Sequence, residues 1–267
     1  MSETIRLVVT VKAYPTASVK YGEAVCVAGI RTDTDRPQWV RLYPVDFRDL
    51  PFDRQFKKWS EIEVAVSLSS DTRPESVRPD TTTIRVLREL STANAWAERW
   101  PIVEPLLVES MCAAREAQRD DGTSLAAFRP QQVDDVVVEA EPDDWTPQQL
   151  ASLNQLSLFA QDRRTLEKVP WRWKYTYSCG GSCNGHEQTI IDWEIAQAWR
   201  SWKRQYGSEE AANRVREKWL NELAGPAKDT VFFVGNQRLH RESFLVLGVF
   251  WPPRRRSEDV EHVQLWS

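Results

Sequence analysis

Ile5-Arg-Leu-Val-Val-Thr-Val-Lys12 decides the fold. β-Branched residues crowd it, and such side chains fit a pleated, half-buried strand better than a helix. Downstream, Pro15 and Gly22 frame a loop, and Ala24-Val-Cys-Val-Ala-Gly-Ile30 follows as a second strand. That strand is apolar on both faces, as a central strand must be. The turn-rich Thr32-Asp-Thr-Asp-Arg-Pro37 leads to a third, Gln38-Trp-Val-Arg-Leu-Tyr43, ended by Pro44. Ile62 to Leu68 alternates apolar with polar, and Thr82 to Leu87 repeats the pattern. Short strands at this spacing predict a small antiparallel β-barrel of the OB or SH3-like kind over residues 1–90.

The period then changes. Residues 91–145 read as a helical connector followed by a strand. Pro101 and Pro105 divide the helical part in two, because proline removes a backbone donor and clashes with the preceding turn. The second helix, from Pro105 to about Gln118, stops at Asp120-Asp-Gly122, and Val133 to Glu139 is strand-like. The acidic Glu139-Ala-Glu-Pro-Asp-Asp144 marks the boundary between lobes. Residues 146–267 predict an α+β lobe, opening with Pro147 in a first helical turn. Trp171 to Tyr177 carries an aromatic at every second position, which is strand periodicity. Ile191, Ile195, Trp199 and Trp202 recur at helical spacing; Gly207-Ser208 breaks that helix, and Val215, Trp219 and Leu223 mark the next. Two strands, Asp229 to Val234 and Ser243 to Phe250, close the chain's regular structure. The fold class is therefore α+β.

A chain of 267 residues, 41% hydrophobic and 28% charged, has globular composition. No apolar run approaches the roughly 20 residues that span a bilayer, and the N-terminus lacks the basic-then-apolar pattern of a signal peptide. A cytoplasmic address and no membrane partner are expected. Four cysteines are too few and too scattered for a disulfide framework. A net charge of -4 argues against non-specific coating of nucleic acid. The charge is uneven, however: residues 1–150 hold 18 basic against 25 acidic side chains, residues 151–267 hold 17 against 14. The second half is thus mildly basic.

Cys179-Gly-Gly-Ser-Cys-Asn-Gly-His186 carries the most specific chemistry. Two thiols and an imidazole fall within eight residues, and the glycines let the backbone fold back so that all three face one centre. Thiolate with imidazole favours tetrahedral Zn²⁺. His240 is the first choice for the fourth ligand, with Asp192, Cys112, Cys26 or a water as alternatives. A water would leave the site open to catalysis. The competing explanation is a glycine-rich turn with two free thiols and a structural histidine. Asp192 and Glu194, with Lys174, are the catalytic candidates, since paired carboxylates near a lysine bind Mg²⁺ in nucleases. Asp192 is equally a helix N-cap, and Glu194 a first-turn acid that complements the helix dipole.

Trp39, Arg41 and Tyr43 alternate along one strand; Arg172, Trp173 and Lys174 do so along another. Such strands could stack bases and hold phosphates, with Arg163, Arg164, Lys168 and Arg254 to Arg256 extending the basic face. Alternation equally places aromatics on a core face. Lys57-Lys58 and Arg73-Pro-Glu-Ser76 could be phosphate contacts, but they read better as solvated charge. Phosphate-loop, dinucleotide, zinc-protease and serine-hydrolase signatures are absent.

Two stretches, Val11-Lys-Ala-Tyr-Pro15 through Trp39-Val-Arg-Leu-Tyr-Pro44 and Cys183-x-Gly-His186 followed by Asp192-Trp-Glu194, resemble an uncharacterised bacterial family with no attached activity. The first is similar in rhythm to OB-like barrels of genome-defence and DNA-modification proteins. The resemblance implies an OB-like N-terminal barrel and a DNA or RNA partner. The expected function is nucleic-acid binding with a structural zinc site. A metal-dependent nuclease using Mg²⁺ and a scaffold for a protein partner are the alternatives.

Overall fold

The computed structural model describes residues 2–14, 25–148, 150–151 and 167–254. Pro15, Gly22, Ala24, Arg163, Arg164, Arg255 and Arg256 lie outside the described residues. Strands β1 (Glu3–Lys12), β2 (Val25–Arg31), β3 (Gln38–Val45), β4 (Ser60–Leu68) and β5 (Ser76–Pro79) run in the order β1-β2-β3-β5-β4, and β4 pairs back onto β1. They close a five-stranded barrel. One seam is parallel, β3 against β5 with Arg41 opposite Ser76, and the other seams are antiparallel. A sixth strand, β6 (Arg85–Glu89), adds to β4.

Alternation along the strands divides the apolar residues between two cores. Ile5, Leu7 and Val9 of β1 join Val27, Val40, Leu42, Ile62 and Val64 inside the barrel. Val8 and Val11, with Ala28 and Ile30 of β2, belong to a second cluster outside it. The pairing of β1 with β2 slips between Val9 and Val11, a bulge of the kind that bends a strand around a barrel.

The outer face is apolar because a second region covers it. Strands β7 (Leu125–Phe128), β11 (Val231–Asn236) and β12 (Phe244–Phe250) form a sheet in the order β12-β11-β7. Leu125, Ala127, Val231, Phe233, Leu247 and Phe250 from this sheet pack with Val8, Val11, Ala28 and Ile30. Trp59, Trp96 and Trp100 surround Phe250 with ring centroids 5.0, 5.2 and 5.0 Å away. Burying each such side chain contributes about 1.5–3 kcal/mol.

Phe128, Phe232, Val234 and Val246 of the same sheet pack into a third cluster. Against them lie β8 (Gln132–Ala140), β9 (Trp171–Ser178) and β10 (His186–Thr189), ordered β10-β9-β8. Two short helical turns, α1 (Ala93–Trp96) and α2 (Trp100–Val103), precede α3 (Met111–Asp121); α4 (Trp193–Tyr206) and α5 (Ser208–Glu217) follow β10. Ser110 caps α3 by accepting from the Ala113 N–H, and Gly122 ends it at φ +82°. Ile195 and Trp199 of α4 and Ala211, Ala212 and Val215 of α5 complete the third cluster.

The structure differs from the expectations at several points. The helix expected from Pro105 begins only at Met111, because Leu107 and Val108 bond to β7 (the Val108 N–H reaches the Ala127 carbonyl at 2.8 Å). Thr81–Thr83 form a short helical turn capped by Asp80 instead of starting a strand. Lys58 and Arg73, read as solvated charge, have side chains only 6% and 8% exposed. The acidic stretch after Glu139 lies between two strands of one sheet, since β8 pairs with β9 along its length.

Candidate metal centre

The loop after β9 turns back through Gly180, Gly181 and Gly185, all at positive φ. At Gly180 (φ +80°) the left-handed conformation favours glycine, and a Cβ would in addition push aside the end of the Gln131 side chain. The Cys183 N–H donates to the Gly180 carbonyl at 3.1 Å, which closes the turn. His186 then starts β10 opposite Tyr177, and the two rings stack with centroids 5.1 Å apart.

Cys179, Cys183 and His186 come together as expected. The fourth member is Cys112, from the first turn of α3, and the four donor atoms all lie within 4.8 Å of one another. His186 Nε2 stands 3.2 Å from Cys183 Sγ and 3.5 Å from Cys112 Sγ. Tetrahedral thiolate ligation of a zinc-sized ion implies sulfur–sulfur edges of about 3.8 Å, so three sulfurs and one nitrogen at these separations fit one ion. The cluster could hold a metal ion. His240, the expected fourth ligand, is exposed in the β11–β12 turn and is not in the group. Cys26 lies elsewhere, against Arg41.

The protonation states suit a ligand set. Burial pushes the Cys112 thiol up to about 11 and raises Cys179 as well. Backbone N–H groups pull Cys183 below the ordinary thiol range, and burial, with Arg115, lowers His186 and keeps the imidazole neutral. A divalent ion would supply the positive charge that turns the raised thiols into thiolates.

Asp192 and Glu194 take no part in this centre. Asp192, 1% exposed, caps α4 by accepting from the Glu194 N–H at 3.0 Å. Its other oxygen is 2.8 Å from Lys58 Nζ, and Glu194 holds the same ammonium at 2.7 Å. Burial alone would lower Lys58, but the two carboxylates override it and raise the lysine above its ordinary range. Lys12, nearby, lies 3.3 Å over the Phe47 ring and donates to the Phe56 carbonyl; burial lowers it to about 8 despite Glu194. Lys174 sits apart from Asp192, between Glu139 at 2.7 Å and Glu187 at 2.9 Å.

The aromatic face of the Trp171 strand is buried, while the aromatics of the first alternating strand, Trp39 and Tyr43, are half-buried. Trp173 is 2% exposed and donates to the Ala212 carbonyl; Tyr175 and Tyr177 are buried beside it. On the opposite face Arg172 pairs with Glu141 and Lys174 with Glu139 and Glu187, so the positive charge is already neutralised. In the barrel, Trp39 packs edge-on to Phe233 and Arg41 is buried beneath β7, bonded to Ser124. Tyr43 is half-buried. Cys112 escaped the sequence reading as first choice because no spacing links it to a loop 67 residues on; its only signal was a thiol within an expected helix.

Residues 108–265 match the model of a domain of unknown function (DUF8757), and residues 3–105 match that of a second (DUF8758). No curated protein matches the chain. Among solved structures it is similar to a murine DNA-binding protein bound with double-stranded DNA, at 9% identity over 95% of this chain and 97% of that one, with a TM-score of 0.31.

Proposed function

The chain belongs to the family of the domain of unknown function DUF8757, and we propose that it is a nucleic-acid-associated binding protein built around a structural Zn²⁺. The convergence of Cys112, Cys179, Cys183 and His186 carries this reading. Four protein donors complete a tetrahedral shell and leave no position for substrate or water, which is the pattern of structural rather than catalytic zinc. The ion would tie the β9–β10 loop to the start of α3, adding a four-donor link where Met111 already packs beside Tyr177 and Gln188.

The nuclease alternative loses its carboxylates. Asp192 and Glu194 are both engaged by Lys58, and Asp192 is sealed from solvent. The nucleic-acid part is supported only by analogy of barrel type, since OB-type barrels bind oligonucleotides in other proteins. Here much of the outer face of β2 and β3 lies under β7, β11 and β12, so a nucleic-acid strand would have to meet the barrel elsewhere.

Elemental analysis of the purified chain should find about one zinc per chain. Cys112→Ser should lose the metal, and chelation should lower the unfolding midpoint of the native chain but not of the variant. Full metal content in Cys112→Ser would refute the four-donor centre. Affinity for oligonucleotides should fall steeply with salt, and no binding at low salt would end the nucleic-acid reading.

A further inference from the structure

A cleft of about 390 Å³ opens on the outer side of the barrel, between β2, β3 and β5 and the β11–β12 end of the second sheet. Its volume lies in the range of small-molecule sites. Four arginines line it, Arg41, Arg73, Arg78 and Arg238, and a single carboxylate, Asp71. Asp71 is spent on Arg73, which grips it through Nε at 3.0 and 3.1 Å and through Nη2 at 2.5 Å. Arg73 also donates to the Asn236 carbonyl, so that pair is complete.

Arg41 is not complete. It is 2% exposed, forms no ion pair among the described residues, and its Nε has no hydrogen-bond partner. Its Nη2 donates at 3.0 Å to both the carbonyl and the hydroxyl of Ser124, and Nη1 meets only Cys26 Sγ at 3.4 Å. The Glu75 carbonyl accepts from the Arg41 backbone N–H at 2.8 Å, but its carboxylate is linked to the guanidinium through the Ser124 hydroxyl. Arg78 and Arg238, both exposed, also form no ion pair among the described residues. Asp71 acts on Arg41 only at a distance, as the last and weakest of the influences on its carboxylate, and no carboxylate touches the guanidinium. A buried guanidinium without a directly paired anion is costly, and a bound anion lowers that cost.

Asn236 supplies the opposite deficiency. It is 4% exposed, its Nδ2 donates to the Arg241 carbonyl, and its Oδ1 accepts from nothing. A ligand that satisfies the cleft must therefore carry an anion and, within the same small molecule, a hydrogen-bond donor. Tyr43, Ile191, Leu245 and Leu247 give it aromatic and apolar walls. Anion, donor and flat apolar surface together describe a nucleotide.

We propose that this cleft binds a nucleotide, with phosphate on Arg41, Arg78 and Arg238 and a sugar hydroxyl or base amine on Asn236 Oδ1. The inference rests on the nucleic-acid reading above only for the source of the nucleotide, which is either free or the end of a single strand. Arginine rather than lysine suits the task, since its planar fork meets phosphate oxygens in pairs.

The test uses the zinc-replete full chain with a labelled 5′-phosphorylated oligothymidylate, adenosine 5′-monophosphate and inorganic phosphate. Fluorescence anisotropy and thermal shift are the readouts. An Arg78→Ala/Arg238→Ala double variant, altered only at exposed positions, should bind the nucleotide probe at least 10-fold more weakly and lose about two units of salt slope. Arg41→Gln should abolish the nucleotide-induced rise in melting temperature. Unchanged oligonucleotide affinity and salt slope in the double variant would overturn the cleft while leaving nucleic-acid binding in place. Binding of the mononucleotide but of no oligonucleotide would uphold the cleft and remove the nucleic-acid reading. Inorganic phosphate binding as tightly as the nucleotide would overturn the nucleotide assignment, and no binding of any probe would overturn the proposal whole.

Discussion

Lys58 and Arg41 are both cations buried between the barrel and the region that covers it, yet their surroundings differ. Lys58 has two carboxylates in direct contact, from the cap and first turn of α4. Arg41 has a carbonyl, a hydroxyl and a sulfur, and a carboxylate only one hydroxyl further away. A matched buried cation is a fastening, and adding a ligand to it gains nothing. An unmatched one is a receptor, because the missing charge must come from outside.

The largest effect that can break this contrast is expected at Lys58. Lys58→Met would strand Asp192 in an apolar setting, and losing one partner of a buried pair costs about 3–5 kcal/mol. Urea unfolding monitored by tryptophan fluorescence should show that loss. A change under 1 kcal/mol would mean that the pair fastens nothing.

Lys12 sharpens the contrast, since it is a third buried cation that touches aromatic rings directly and feels Glu194 and Asp192 only at a distance. Its folded pKa of about 8 lies below the usual 10.5. A depressed lysine favours the folded state only when neutral. Its contribution is full above pH 10.5, falls as the pH drops, and is gone below about 8. Lys58, raised, behaves oppositely: its contribution is intact below 10.5 and is lost as the pH rises through its folded value. Lys12→Met should therefore remove a slope worth about 3 kcal/mol between pH 8 and 10.5, and stabilise the chain at neutral pH. An unchanged slope in guanidinium titrations across that window would show that the ring contacts fully replace water.

The smallest effect is expected at Arg41. Arg41→Met removes two hydrogen bonds to Ser124 but strands no directly paired carboxylate, so the unliganded chain should lose about 1–2 kcal/mol. A loss as large as that of Lys58→Met would make Arg41 a second fastening.

Much of this architecture was legible from residue patterns. β1 to β4 followed from β-branched runs and alternation, and the metal loop from thiols and glycines at short spacing. β5 and β7 were not, because each is only four residues long and takes its pairing from distant partners. The buried cations were also hidden. Lys58 follows another lysine and Arg73 lies in a polar stretch, and only the covering sheet and α4 remove them from solvent. In the Trp171 strand the alternation was correctly seen, but which face it turned inward depended on α5, whose Ala212 carbonyl takes the Trp173 indole N–H.

β1 serves two cores at once, with Ile5, Leu7 and Val9 turned one way and Val8 and Val11 the other. Severing the chain between residues 105 and 108, where the two family segments meet, would leave each piece with a greasy, unsheltered flank. Neither piece is a self-sufficient module in that sense. A lineage that kept one segment and discarded the other would have to repaint that flank with polar residues, which gives a physical reason for the two to be inherited as a pair.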